Sequence, residues 1–270
     1  MRRAFVASVL VGTLCAVIGA FVVLKGLAFI GDALAHSSFA GVAIALVAGA
    51  DVYAGGAIAA TIAALGIAFI SQRARVRFDT AIGVVFVAML SLGVVIMSRL
   101  HNYTASIFEF LFGNVLAVAP EDVLLIVVGG GLVIATVLFL YKELVFVAFD
   151  PTMAAAAGIS VVFYDTLLLV LLAVTTTLSM RALGIILVAA MLVTPAATAY
   201  LFVRRLHELM LLGVVIAVVC SVIGLYVSFY GNFASGATIV LTTVGVFLVA
   251  LVVSPRTRRG AAPAHALAGG

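Results

Sequence analysis

The sequence predicts an all-α fold, a polytopic transmembrane helix bundle of about eight to nine spans. Three observations carry this. Of 270 residues, 66% are hydrophobic and 9% charged, whereas a soluble domain is about half apolar and a quarter charged. The apolar runs are close to the ~20 residues that a helix needs to cross a bilayer. Basic residues gather in the gaps between those runs, as in the cytoplasmic loops of membrane proteins.

In chain order the expected spans lie near 4–24, 30–49, 53–70, 80–98, 122–141, 160–179, 184–203, 209–229 and 237–253. None alternates polar and apolar residues as a barrel strand would. Met1-Arg2-Arg3 before an apolar run resembles a secretory signal. However, the run to Leu24 exceeds a typical signal core of about 7–15 residues, and bulky Leu14 precedes Cys15. It reads as a retained helix. Residues 106–118 are apolar but short, and read as a re-entrant or interfacial helix ahead of Pro120. Residues 1–255 form a single membrane domain, and 256–270, rich in Ala, Gly and Pro, read as a disordered cytoplasmic tail.

Charge sets the orientation. Arg73, Arg75 and Arg77 are placed inside, and parity then puts Lys25, Lys142, Arg204, Arg205 and the tail arginines inside as well. Asp51, His101 and Gly231-Asn232 fall outside, as do Arg2 and Arg3; an eight-span arrangement in which one early run does not cross would move those two inside. The net charge of +4 is spread over these loops, so no nucleic-acid surface is expected.

Between two spans on the inner side, Asp150-Pro151 has the form of a helix start, an Asp cap followed by Pro at the first helical position. Gly158 suits the helix end. A helix of about two turns is therefore expected outside the membrane. No G-x-x-x-x-G-K-[ST] phosphate loop occurs, so the chain is not expected to hydrolyse ATP. Gly129-Gly130-Gly131 reads as close helix packing. Cys15 and Cys220 have no metal-ligand spacing and read as small buried residues. Pro195 is expected to kink its helix, with Thr194 and Thr198 serving freed backbone groups.

Ionisable groups inside a membrane are costly and usually functional. Asp32 and His36 are four residues apart, so a helix puts both on one face, about 6 Å apart. A carboxylate and an imidazole suit a divalent transition metal such as Mn, Zn or Fe. Two donors do not close a metal shell; water, carbonyls or further side chains must complete it. A buried Asp–His hydrogen bond that merely locks two helices is the other reading. His101 reads as a solvated loop residue, His207 and Glu208 as a polar turn, and Asp165 and Glu109 as groups reaching the interface.

The stretch from Gly19 to His36, with Gly31-Asp32-Ala33-Leu34-Ala35-His36 at its end, resembles the membrane subunits of bacterial manganese, zinc and iron ABC importers. So do Asp79-Thr80-Ala81-Ile82-Gly83, Leu111-Phe112-Gly113-Asn114, Asp150-Pro151 with Gly158, and Gly184 to Ala199. Together they cover nearly the whole chain up to about Pro255. The chain departs from the family pattern at Lys25-Gly26, commonly two basic residues, and at Ala40-Gly41, often Pro-Gly.

The resemblance implies a transport subunit in the bacterial cytoplasmic membrane, working as a homodimer. A separate ATP-binding subunit would dock on the cytoplasmic face, at the segment Asp150, Pro151 and Gly158. An extracellular metal-binding protein would deliver the cargo, a divalent ion held in passing by Asp32 and His36. No covalently bound cofactor is implied. An ion-coupled secondary transporter using the pair as a proton relay is the main alternative, but no internal repeat supports it. A siderophore or B12 permease shares the broad architecture, yet a large chelate needs no bare ligand pair.

Overall fold

The computed structural model describes residues 2–74, 76–99, 119–231 and 233–254. The expectations for 106–118, the tail, Arg75, His101 and Glu109 lie outside the described residues. Among the described residues the chain is helical throughout: α1 (Arg2–Lys25), α2 (Ile30–Ala48), α3 (Val52–Ala74), α4 (Phe78–Met97), α5 (Pro120–Phe139), α6 (Tyr141–Phe149), α7 (Pro151–Ala156), α8 (Val161–Leu183), α9 (Ile185–Tyr200), α10 (Leu206–Gly231) and α11 (Ser235–Val253). Eight of these are long and apolar enough to cross a membrane. The expected span at 184–203 is the shorter α9, 16 residues long: it starts just after Gly184, at φ 80°, as expected, and the chain turns after Tyr200. The nine-residue α6 has no counterpart among the sequence expectations; the apolar stretch 122–141 continues into it past a break at Leu140.

Local chemistry explains the helix starts. Asp51 accepts from the Ala54 amide at 2.7 Å and caps α3. Pro120 opens α5, where Asp122 reaches back to the Ala119 amide at 3.1 Å. Asp150 accepts from the Met153 amide at 2.9 Å and Pro151 follows as the first residue of α7. At the other end of α7, Gly158 adopts φ 84° and the Gly158 and Ile159 amides close back onto the Ala155 and Ala154 carbonyls.

Specific pairs fix how the helices run. Lys25, ending α1, forms a partly buried ion pair with Asp165, near the start of α8. Arg181, near the end of α8, pairs with Asp122 of α5 and stacks over the Tyr53 ring of α3 at 4.3 Å. Ser254 donates to the Leu201 carbonyl and ties the ends of α11 and α9 together. One end of the bundle therefore carries Lys25, Arg73, Arg77, Lys142, Arg204 and Arg205, and the other carries Asp51, Arg99, Asp122 and Arg181. The sequence left Asp165 as a group reaching the interface; it is partly buried and paired. Removing one partner of such a pair leaves a partly desolvated charge uncompensated, which costs more than removing both. Lys25→Met alone is thus expected to lower thermal stability in detergent well below the Lys25→Met/Asp165→Leu double variant, measured by differential scanning fluorimetry.

The core is built from α1, α2, α8 and α9, with Phe21, Leu34, Leu172 and Leu192 almost fully buried. Small residues let helices touch. A Cβ on Gly19 would lie 1.9 Å from the Leu192 carbonyl oxygen, and one on Gly41 would lie 2.1 Å from that of Gly55. The triple glycine does pack: Gly129 sits against Leu178 and Gly130 against Leu14, while Gly131 faces open space. Cys15 and Cys220 are buried and free. In α9, Thr198 donates to the Thr194 carbonyl at 2.7 Å. The carbonyl that Pro195 leaves without a helical donor is that of Met191, one turn before it.

Candidate metal site

Asp32 and His36 sit in the first turns of α2, which has no side-chain cap; its residue before the helix is Phe29. Asp32 stands in the first turn, where the positive end of the helix dipole favours a carboxylate. Around the pair α2 is made of small buried residues, Gly31, Ala33, Ala35, Ser37 and Ser38. The hydroxyls of Ser37 and Ser38 donate to the Ala33 and Leu34 carbonyls of their own helix, at 2.6 and 3.1 Å. They leave Asp32 and His36 as the ionisable groups of this face.

Both side chains are half-buried and line a cavity of about 440 Å³ between α2 and α4, with Phe29, Ala33, Asp79, Ile82, Gly83 and Phe86. His36 meets the Phe86 ring edge-on, with centroids 5.3 Å apart. This contact fixes the imidazole plane from the apolar side. No hydrogen bond joins Asp32 to His36, and both stand on one helix. The alternative of an Asp–His bond locking two helices is therefore not the arrangement observed. Phe29, Asp79 and Gly83 are exposed, so the cavity opens at the bundle surface.

Asp79 is the cavity residue that sequence reasoning missed. It stood inside a stretch quoted for resemblance but received no role of its own. The available signal was a carboxylate in the first turn of a span, beside a gap rich in arginine. Among the described residues, no three His, Cys, Asp or Glu side chains come together closely enough to hold one metal ion. Asp32 and His36 thus offer two candidate donors one turn apart, and Asp79 lines the same cavity without joining them in a cluster.

Asp150, Pro151 and Gly158 are brought together as the two ends of α7, at the Lys25–Asp165 end of the bundle. Thr152, Met153, Ala155 and Ala156 are exposed on it and Ala154 is fully buried. His207 and Glu208 lie on the first turn of α10, with Arg205 3.8 Å from Glu208.

Residues 1–254 match the ABC 3 transport family. The "Manganese transport system membrane protein MntC" of Listeria innocua is 41% identical over 256 residues, 95% of this chain and 91% of that protein. A Haemophilus influenzae protein with the name "Probable iron transport system membrane protein" is 35% identical over 256 residues, 95% and 90% of the two chains. The solved structure "PsaBC from Streptococcus pneumoniae in complex with Fab" superposes with a TM-score of 0.83 at 33% identity, covering 95% of this chain and 92% of that one. These matches and the eight apolar helices make the chain a multi-pass protein of the bacterial cytoplasmic membrane.

Proposed function

The chain belongs to the ABC 3 transport family, and from that premise we propose that it is the permease subunit of an ATP-driven importer of divalent metal, with manganese as the cargo. The observation that carries the reading is the Asp32–His36 pair, half-buried, facing a cavity between two membrane helices and joined by no hydrogen bond. One hard and one borderline donor suit Mn²⁺ without the thiolates that would favour softer metals. The relatives named above for manganese and iron support the cargo class.

A carboxylate and an imidazole facing lipid through the open side of the cavity would be costly. That cost supports a homodimer in which a second copy of the chain covers that side and supplies the shielding. By the positive-inside rule the Lys25–Arg73–Arg77 end is cytoplasmic, which puts α7 where an ATP-binding subunit docks. A metal-binding protein would then deliver the ion at the opposite, external end.

The test is uptake into proteoliposomes holding the permease and its ATP-binding partner, with all three ions competing. Mn²⁺ accumulates only with ATP, and excess Mn²⁺ suppresses the signal more than equal Zn²⁺ or Fe²⁺. Uptake driven by a proton gradient without ATP would instead favour the secondary transporter.

A further inference from the structure

We propose that Asp79 is a second, exit-side carboxylate for the transported cation, taking it from Asp32 and His36 and passing it to solvent at the turn between α3 and α4. This rests on the reading of Asp32 and His36 as cargo ligands and adds a station to it.

The geometry starts from how α2 and α4 pair. His36 packs on Phe86, and further along, Gly93 of α4 meets Phe39 and Ala40 of α2, so the two helices run in parallel. Asp79 lies seven residues before Phe86, about 10 Å back along α4 at the helical rise. It therefore stands at the mouth of the cavity whose inner end is His36. That mouth lies at the bundle end carrying Lys25, Arg73 and Arg77.

The rest of the lining is Phe29, Ala33, Ile82, Gly83 and Phe86. A dication leaving Asp32 and His36 finds no other anion along that wall. It also approaches the exposed guanidinium groups of Arg73 and Arg77, which repel it. Asp79 answers both problems. Its carboxylate offers a ligand before full rehydration, and its charge offsets the arginines nearest the exit. Because the three side chains do not form one metal cluster, Asp79 acts after Asp32 and His36, by ligand exchange: the metal–Asp32 contact is lost as the metal–Asp79 contact forms.

Arg77 does not prevent this. Its contact with Asp79 is 3.8 Å long, with the two side chains 87% and 55% exposed. Such a solvated pair is weak and readily gives way to a divalent ion.

The test uses the permease–ATPase complex in proteoliposomes, with Mn²⁺ as the probe and two readouts. One is equilibrium Mn²⁺ binding without nucleotide; the other is ATP-driven transport in a single turnover. Asp79→Asn is expected to slow transport about tenfold while binding stays within about twofold of the parent. Asp79→Glu restores the rate, and Arg77→Gln leaves it within about twofold. Parent-like transport by Asp79→Asn overturns the proposal. So does Asp79→Asn weakening binding as much as Asp32→Asn, which would place Asp79 in the first site. An Arg77→Gln defect equal to that of Asp79→Asn would mark a helix-start role and also overturn it. If Asp32→Asn itself binds Mn²⁺ normally, the underlying site reading fails and this one falls with it.

Discussion

Asp32→Asn is expected to weaken Mn²⁺ binding by more than about 100-fold, since even an outer-shell partner of a metal ligand is worth 10–100-fold. Asparagine keeps the shape of the side chain and the packing of Gly31 and Ala33 around it. It removes the charge that holds a dication. His36→Ala is expected to match it, because each donor is half of what this chain brings to the ion. Were the pair merely structural, an amide could still bond the ring and Asp32→Asn would transport normally. The pH dependence has a definite sign. Metal binds ionised carboxylate and neutral imidazole, so protons compete with it and affinity falls as pH falls. Isothermal titration of the purified complex between mildly acidic and neutral pH, for parent and both variants, measures the effect. Expression and monodispersity of each variant are followed in parallel.

The second large effect concerns α7. Met153→Arg/Ala156→Arg places two long cations on the exposed side of a six-residue helix while leaving the Asp150 cap and the buried Ala154 untouched. ATP-driven uptake is expected to fall below about a tenth of the parent, because desolvating unpaired charge at a docking surface costs several kcal/mol. Mn²⁺ binding, more than one helix away, stays intact. Co-purification of the ATP-binding subunit is lost in the same variant. Uptake that survives with the partner still bound would move the docking surface elsewhere on the cytoplasmic end.

Much of this fold was legible because the bilayer imposes length. Runs of about 20 apolar residues map onto α1 to α5, α8, α10 and α11 with shifts of a few residues. The exceptions follow from backbone features that hydropathy does not weigh. The run expected from 184 starts where α9 does, separate from the one before it, but its helix ends at Tyr200 and stays short of the other spans, and α6 lies hidden past the end of the run 122–141. The ends of α7 were readable because capping is local: Asp150, Pro151 and Gly158 each act within three or four residues. Asp32 and His36 were readable for the same reason, being one turn apart on a single helix. Asp79 was not, because its relation to them depends on the pairing of α2 with α4. The Lys25–Asp165 and Arg181–Asp122 pairs were invisible for that reason too, their partners being far apart in sequence.

Gly41 and Gly55 have a further consequence, kinematic in nature. Their backbones touch where a side chain of any size would collide. A slip of one residue along either helix, about 1.5 Å, would bring a side chain into that contact. The pair α2–α3 is therefore a single strut, and Asp32 and His36 ride on it. On the other wall, α4 is pinched against α2 at Gly93, with Phe39 and Ala40 within contact distance, yet Gly83 faces empty space. The two walls are joined like tweezers, pinched at the end far from Asp79 and open at Gly83 near the tip.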